Sequence, residues 1–340
     1  ADVGERCAYP DLRPGFCNQL MTQNTRLPLV LLAVLLSPGI AYAQTYPDRT
    51  VRVILSFPPG GTTDIVGRIV FQKVTEITGQ QFVIDNRGGA AGTIAAGLVA
   101  KSPPDGYTIL THTATHLMNA HMMKLPYDTL NDFIGVTTMA RQVFMLTVHP
   151  SMPVKSVKEF IALAKKRPNE ILYGTGGIGS ALHLGIALFA SMTGTKLVHV
   201  PYKGGGPAQV ALVAGQTQVS LPSVGSVMQF VEARQMRPLG VTSDERIRQF
   251  PDVPAIAETV PGYEFTAWVG VYVPARTPRP IVDKLNAEIR RALADSEVAT
   301  KLSNMAYDPM HMTPEQFARR LKSDYDKYGK IVNEIGAKNE

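Results

Sequence analysis

The sequence predicts an α/β protein of two lobes, each a mostly parallel sheet flanked by helices, with two strands crossing between them. Three observations carry that prediction. Short β-branched runs alternate with segments of helical period, an order that places helices on the faces of a parallel sheet. The alternation occurs twice, in two series of similar size that divide near residue 145. The stretch FIGVTTMARQVFMLTVHP (133–150) reads as strand, is interrupted by polar residues and has no helix close behind it, so together with RPLGVTS (237–243) it is expected to cross between the lobes.

The first series runs VRVILSF (51–57), a helix over 64–79, QFVIDN (81–86), a helix over 92–102, YTILTHT (107–113) and a looser segment. The second opens with a helix over 156–166, where Ser156 and Glu159 form a capping-box pattern and Pro168 marks the stop. It continues with ILYGT (171–175) and a helix from Ser180, KLVHVPY (196–202) and a helix near 207–214, then TQVSLPS (217–223) and a helix over 224–233. FTAWVGVYVP (265–274) and the helices from about Pro280 return the chain to the first lobe. The last helix starts at Thr313-Pro314-Glu315-Gln316, a capping box with proline at the first helical position, and carries Phe317, Leu321, Tyr325, Tyr328, Val332 and Ile335 as a packing stripe. The expected partition is 45–142 with 245–340 for lobe 1 and 143–244 for lobe 2.

The N-terminus reads as an export signal. From Met21 the chain has a short polar segment with Arg26, an apolar run over 27–36 and the small-x-small site Ala41-Tyr42-Ala43, the three-part layout of a cleavable signal peptide. The run is far shorter than the roughly 20 residues of a membrane span. Residues 1–20 read as a spurious leader, and both cysteines, Cys7 and Cys17, fall within them. The exported chain is then expected to lack disulfides and thiolate chemistry. With 45% hydrophobic residues and a mean hydropathy of +0.01 the composition is globular. The net charge of +6 is modest and its longest basic run, KKR at 165–167, ends a helical segment, which argues for small anionic solutes rather than nucleic acid.

Two glycine-rich loops carry the chemistry. SFPPGGTTD (56–64) links a strand to a helix, where Gly60 and Gly61 permit close backbone approach and the helix start offers free N–H groups to an anion. Asp64 is expected to cap that helix, since a carboxylate facing an anion would repel it. YGTGGIGSALH (173–183) is its counterpart. Gly174, Gly176 and Gly179 match the dinucleotide fingerprint, yet no Asp or Glu occurs between Glu170 and Glu232 to hold a ribose, so that reading fails. The acid-free stretch holds Thr175, Ser180, His183, Lys196, His199 and Lys203, a set suited to carboxylates. Ser180 and His183 at a helix start raise the alternative of a periplasmic hydrolase, without a G-x-S-x-G elbow or an identifiable third partner. His112, His116 and His121 cluster without a nearby carboxylate, so neither a metal nor a cofactor is expected.

Taken in order, YPDRTVRVILSFPPGGTTDIVGR, VIDNRGGAAGTIAA, PDGYTIL, LPYDTLNDF, HPSMPVKSVKEFIALAK, HVPYKGGGPA, VTSDER, FPDVPAIAE and PARTPRPIVDKLN closely resemble the Bug receptors, the extracytoplasmic binding proteins of tripartite tricarboxylate transporters. The resemblance spans about Tyr46 to about Ala337. It implies a type II periplasmic-binding-protein fold that closes on its ligand like a Venus flytrap, no enzymatic activity, and delivery of a small carboxylate to integral-membrane permease subunits, with no nucleic-acid partner and a monomeric state. A ligand sensor without a dedicated permease is a further alternative. Carried over, the ligand-binding residues are Phe57, Pro59, Gly60, Gly61, Thr62 and Asp64 in the first lobe and Thr175, Gly176, Gly177, Ser180 and His183 in the second, with Thr113, Thr115, His116, Lys203 and Gly204 lining the remainder. Ile178 and Leu221-Pro222 depart from relatives that carry a polar residue and an acid there. Those departures argue for an unaminated di- or tricarboxylic acid, or an aromatic acid in view of Ile178, Phe57 and Leu182.

Overall fold

A computed structural model describes residues 46–334. The alternating apolar runs become two sheets. The first has the order β2 (Phe82–Asn86), β1 (Val51–Leu55), β3 (Thr108–Thr113), β10 (Thr266–Pro274), β4 (Phe133–Val143) and β11 (Tyr307–Pro309). β1, β2 and β3 pair in parallel, whereas β10 is antiparallel to both β3 and β4, and β11 is antiparallel to β4. The second sheet has the order β7 (Val198–Pro201), β6 (Leu172–Thr175), β8 (Val219–Ser220), β5 (Met145–Val148) and β9 (Arg237–Val241). There β6 is parallel to β7 and β8, and β5 is antiparallel to β8 and β9. Both sheets are therefore mixed, because the strands next to each crossing reverse direction.

The helices follow the predicted order: α1 (Thr62–Thr78), α2 (Thr93–Ala100), α3 (Thr115–Met122), α4 (Val157–Lys166), α5 (Ala181–Thr193), α6 (Gly205–Val213), α7 (Val224–Glu232), α8 (Arg279–Ala294), α9 (Ser296–Asn304) and α10 (Pro314–Glu334). Their starts are capped much as the sequence indicates. Ser156 Oγ accepts the Glu159 N–H at 3.2 Å, and Thr313 and Gln316 exchange bonds at 3.2 and 2.9 Å. The looser segment after β3 resolves into α3, whose Leu117 and Met118 are fully buried. α10 buries Phe317, Tyr328 and Val332 and packs on α3 and β4. Trp268 Nε1 donates to Asp324 at 2.7 Å, fastening β10 to α10. Ile335, and the export signal and leader of residues 1–43, lie outside the described residues.

One crossing is as predicted: β4 ends at Val143 in the first sheet and β5 begins at Met145 in the second. The other differs. RPLGVTS stays within the second sheet as β9, where among the described residues the named strand it pairs with is β5, and it ends against Phe144, where the Thr242 N–H donates to the Phe144 carbonyl at 3.0 Å. The Phe265 N–H then donates to the Thr242 carbonyl at 2.9 Å, and β10 leads back into the first sheet. Phe144, Thr242 and Phe265 thus tie the two crossings together, with the Phe144 and Phe265 rings 5.5 Å apart. Among the described residues, no helix is long and apolar enough to cross a membrane.

Candidate functional site

Open α/β sheets bind ligands beyond the carboxyl ends of their strands. Here the loops after β1, β3, β6, β7 and β8 converge on one cavity, floored by the β4–β5 crossing. Of the residues expected from sequence, Phe57, Gly61, Thr62, Thr113, Thr115, Gly176 and Ser180 line it. The elements that hold these residues also aim a helix start at the cavity in five places. Thr62 opens α1, Thr115 opens α3, Ser180 caps α5, Gly205 opens α6 and Ser223 immediately precedes α7. A helix start offers N–H groups without intrahelical partners and the positive end of a dipole, although here the Thr115 and Ala181 N–H groups already donate to Thr113 Oγ1 and Thr115 Oγ1. No Asp, Glu, Lys, Arg or His is among the described residues that line the cavity.

The first-lobe loop is held open by its own carboxylate. Gly60 adopts φ +82°, a left-handed conformation that a side chain would strain, and its N–H donates to Asp64 Oδ2 at 3.1 Å. Asp64 Oδ1 accepts from Arg68 Nε at 2.8 Å and from Asn86 Nδ2 at 3.1 Å, and the same Asn86 amide nitrogen donates to the Phe57 carbonyl at 2.9 Å. Asp64 therefore braces the loop from behind rather than facing the cavity. Gly61 is extended, with φ −86°, and a Cβ there would meet its nearest neighbour, the Pro58 carbonyl oxygen, at an ordinary 3.5 Å.

Side-chain hydroxyls join the two sides. Thr62 Oγ1 lies 2.8 Å from Ser223 Oγ, which lies 3.0 Å from the Tyr307 hydroxyl. Gln209 Nε2 donates to Ser226 Oγ at 2.7 Å, and the Ala181 N–H donates to Thr115 Oγ1 at 3.0 Å. At the mouth the backbones meet closely. A Cβ on Gly204 would stand 2.6 Å from Pro58 Cδ, so only glycine lets the two loops touch.

Other expected residues lie elsewhere. Thr175 and His183 form the support of the second glycine loop. Thr175 Oγ1 accepts from the Gly177 N–H at 3.2 Å and sits 2.6 Å from His199 Nε2, while His183 Nδ1 accepts from the Gly179 N–H at 3.3 Å. The His183 and His199 rings stack at 4.1 Å. Burial, then the neighbouring His199, pushes the His183 imidazole down to about 3, and burial brings His199 to about 4. Both are neutral at physiological pH and bring no positive charge to the loop. His116 does not reach the cavity. It is fully buried among the rings of Tyr127, Phe133 and Tyr272 because the turn of α3 carries it beneath the sheet. Gly177 and Lys203 line an outer groove with Ile178, and Pro59 and Gly60 line another beside Pro58 and Tyr202. Ile178, at 38% exposure, thus shapes the groove and not the cavity.

The geometry also separates Ser180 from hydrolase chemistry. Ser180 Oγ accepts the His183 backbone N–H at 3.3 Å as a helix cap, while the imidazole is turned to Gly179 and His199. Among the described residues, no three His, Cys, Asp or Glu are grouped to hold a metal. Sequence reasoning missed Gln142, Phe144, Ala181, Gly205, Gln209, Ser223 and Ser226. Ser223 was accessible to it, since TQVSLPS is a strand leading straight into a helix like the two glycine loops. Gln142 and Phe144 share one face of the crossing strand by its period of two, but nothing in sequence says which face meets the cavity.

Comparison with known proteins gives the same picture. The sequence model of the "Tripartite tricarboxylate transporter family receptor" matches residues 66–337. Protein BugT of Bordetella pertussis is 33% identical over 323 residues, covering 92% of this chain and 98% of BugT. Rpa4515 of R. palustris, solved with adipate, is 36% identical with a TM-score of 0.83, covering 86% of this chain and 98% of that one. MatC of Rhodopseudomonas palustris, solved with bound malate, is 29% identical with a TM-score of 0.81, covering 84% and 100%. The architecture is that of the periplasmic binding proteins.

Proposed function

The chain belongs to the tripartite tricarboxylate transporter receptor family, a family of solute-binding receptors and not of enzymes, and from that premise we propose that it is exported to the periplasm, captures a small unaminated carboxylate between lobes 45–142 with 245–340 and 143–244, and delivers it as a monomer to integral-membrane permease subunits. One observation carries the reading: five helix starts point into a cavity lined by no charged side chain among the described residues. Such a cavity favours an anion through backbone N–H groups and aligned dipoles. A ligand ammonium would find neither a carboxylate nor a dipole of the right sign, since Leu221 is buried and Pro222 forms the wall where an acid could have stood. The relatives solved with adipate and malate hold acids without an amino group, which supports the same class.

The direct test is mass spectrometry of whatever small molecule survives gentle purification, followed by a thermal-shift screen of carboxylic acids. Bound ligand raises the melting temperature by mass action, by about 2.7 kcal/mol of stability at a hundredfold excess over Kd. The expected result is stabilisation by one or a few di- or tricarboxylic or aromatic acids, with no shift from aspartate or glutamate. Stabilisation by amino acids alone contradicts the reading.

A further inference from the structure

Gln142 is the polar side chain of the cavity with nothing to bind. It is 2% exposed and lines the cavity beside Phe144, two residues on along the same face of the crossing, whereas Arg141 and Val143 face a separate pocket behind it. Its backbone is fixed on both sides, paired with Ala267 of β10 and Tyr307 of β11. Its side-chain amide is not. Oε1 is shut away with no hydrogen-bond partner, and among the described residues Nε2 donates to no acceptor. The other polar side chains around the cavity are engaged: Thr62 with Ser223, Ser226 with Gln209, Thr115 with the Ala181 N–H, and Thr113 with the Thr115 N–H. Oε1 only accepts and gains nothing from a carboxylate, whereas Nε2 is a donor without an acceptor on a side chain that lines the cavity, so a ligand oxygen can complete it.

We infer that Gln142 determines specificity by donating from Nε2 to a second carboxylate of the ligand, so that the receptor selects dicarboxylates over monocarboxylates of the same chain length. This rests on the carboxylate reading above and narrows it. The first carboxylate takes the N–H groups of the helix starts. The second, at the floor, needs a side-chain donor, and Gln142 supplies one with no fixed charge of its own. An amide donor and a neutral floor also leave the monocarboxylate a binding mode, with its chain against Phe57, Phe144 and Leu182 and Gln142 idle.

Isothermal titration separates the possibilities. Matched pairs, succinate with butanoate, glutarate with pentanoate and adipate with hexanoate, are titrated into the wild type, Gln142→Met and Gln142→Glu. Circular dichroism and melting temperature serve as folding controls. The expected result is at least a tenfold preference for one dicarboxylate in the wild type. Gln142→Met should lower that affinity to the level of the monocarboxylate, whose own affinity stays unchanged. Gln142→Glu should weaken the dicarboxylate further by placing like charge against it. A preference that survives Gln142→Met, or equal losses for both members of a pair, overturns the role of Gln142 while leaving the carboxylate reading intact. If Gln142→Met fails to fold, Gln142→Leu carries the same comparison. A wild type that binds none of the six but is stabilised by a monocarboxylic acid overturns the dicarboxylate assignment and with it the role of Gln142; one that binds no carboxylate at all overturns the carboxylate reading as well.

Discussion

His116 shows how a single residue can carry an expectation of function and turn out to serve the fold. Its ring is 4.9 Å from that of Tyr272 and 4.8 Å from that of Phe133, with Tyr127 on the third side. Burial pushes its pKa down to about 3 from 6.5. The native state then keeps it neutral while the unfolded chain takes up a proton below pH 6.5. Stability contributed by its neutral form is intact above pH 6.5 and falls by about 1.4 kcal/mol for each pH unit below it, until the native residue titrates near pH 3. Urea unfolding of His116→Phe should therefore show a shallower decline in stability between pH 6.5 and 4.5 than the wild type, by about one proton. His112, also fully buried, is lowered first by burial and then by His116, so its burial contribution to the slope persists in the variant while the part due to His116 is lost. Identical slopes would contradict the assignment. Asp64 and Gln142 illustrate the opposite limits of sequence reading. Like charge argues against ligand contact for Asp64, yet its carboxylate holds the Gly60 N–H instead of capping α1 as expected. Gln142 was invisible, because its significance is the absence of a partner, which depends on every neighbour brought near it by the fold.

At the scale of elements, most of the architecture was legible because its signals are local. The β-branched runs and capping residues mark nearly every strand and helix, and the two strand–glycine loop–helix units named Phe57, Gly61, Thr62, Gly176 and Ser180 of the cavity lining. What was not legible is long-range. RPLGVTS has the β-branched and turn-ended pattern of any strand, and only the tertiary bond from Thr242 to Phe144 stops it within the second sheet. The reversal of β10, β11 and β5 likewise depends on where the chain crosses rather than on composition. The convergence of helix starts makes a prediction at this level. Aspartate caps helices as well as serine does, so Ser180→Asp should leave α5 capped while placing a negative charge at the cavity. At about 5 Å from a bound carboxylate and an effective dielectric near 20, the repulsion is roughly 3 kcal/mol, or about a hundredfold in Kd. Ser180→Ala should cost only the cap, about 1 kcal/mol of stability, with binding little changed. Unaltered binding by Ser180→Asp, as measured by isothermal titration, would show that the helix starts do not hold the anion.

In the whole molecule, two sheets meet over a cavity lined by no charged side chain among the described residues. Their junction combines covalent crossings, tied at Phe144, Thr242 and Phe265, with contacts that a ligand can help hold, such as Thr62 to Ser223 and Pro58 against Gly204. Binding between the proposed lobes then needs no cation, because the charge of a carboxylate is met by backbone N–H groups already fixed by the fold. The measurement that tests this most directly is a crystal structure of the protein with its retained or best-binding acid. The predicted result places carboxylate oxygens within about 3 Å of backbone N–H groups at the helix starts near Gly61, Thr62, Ser180 or Gly205, with no ammonium or guanidinium in contact. An acid found in the outer groove, its charge paired with Lys203, would contradict it.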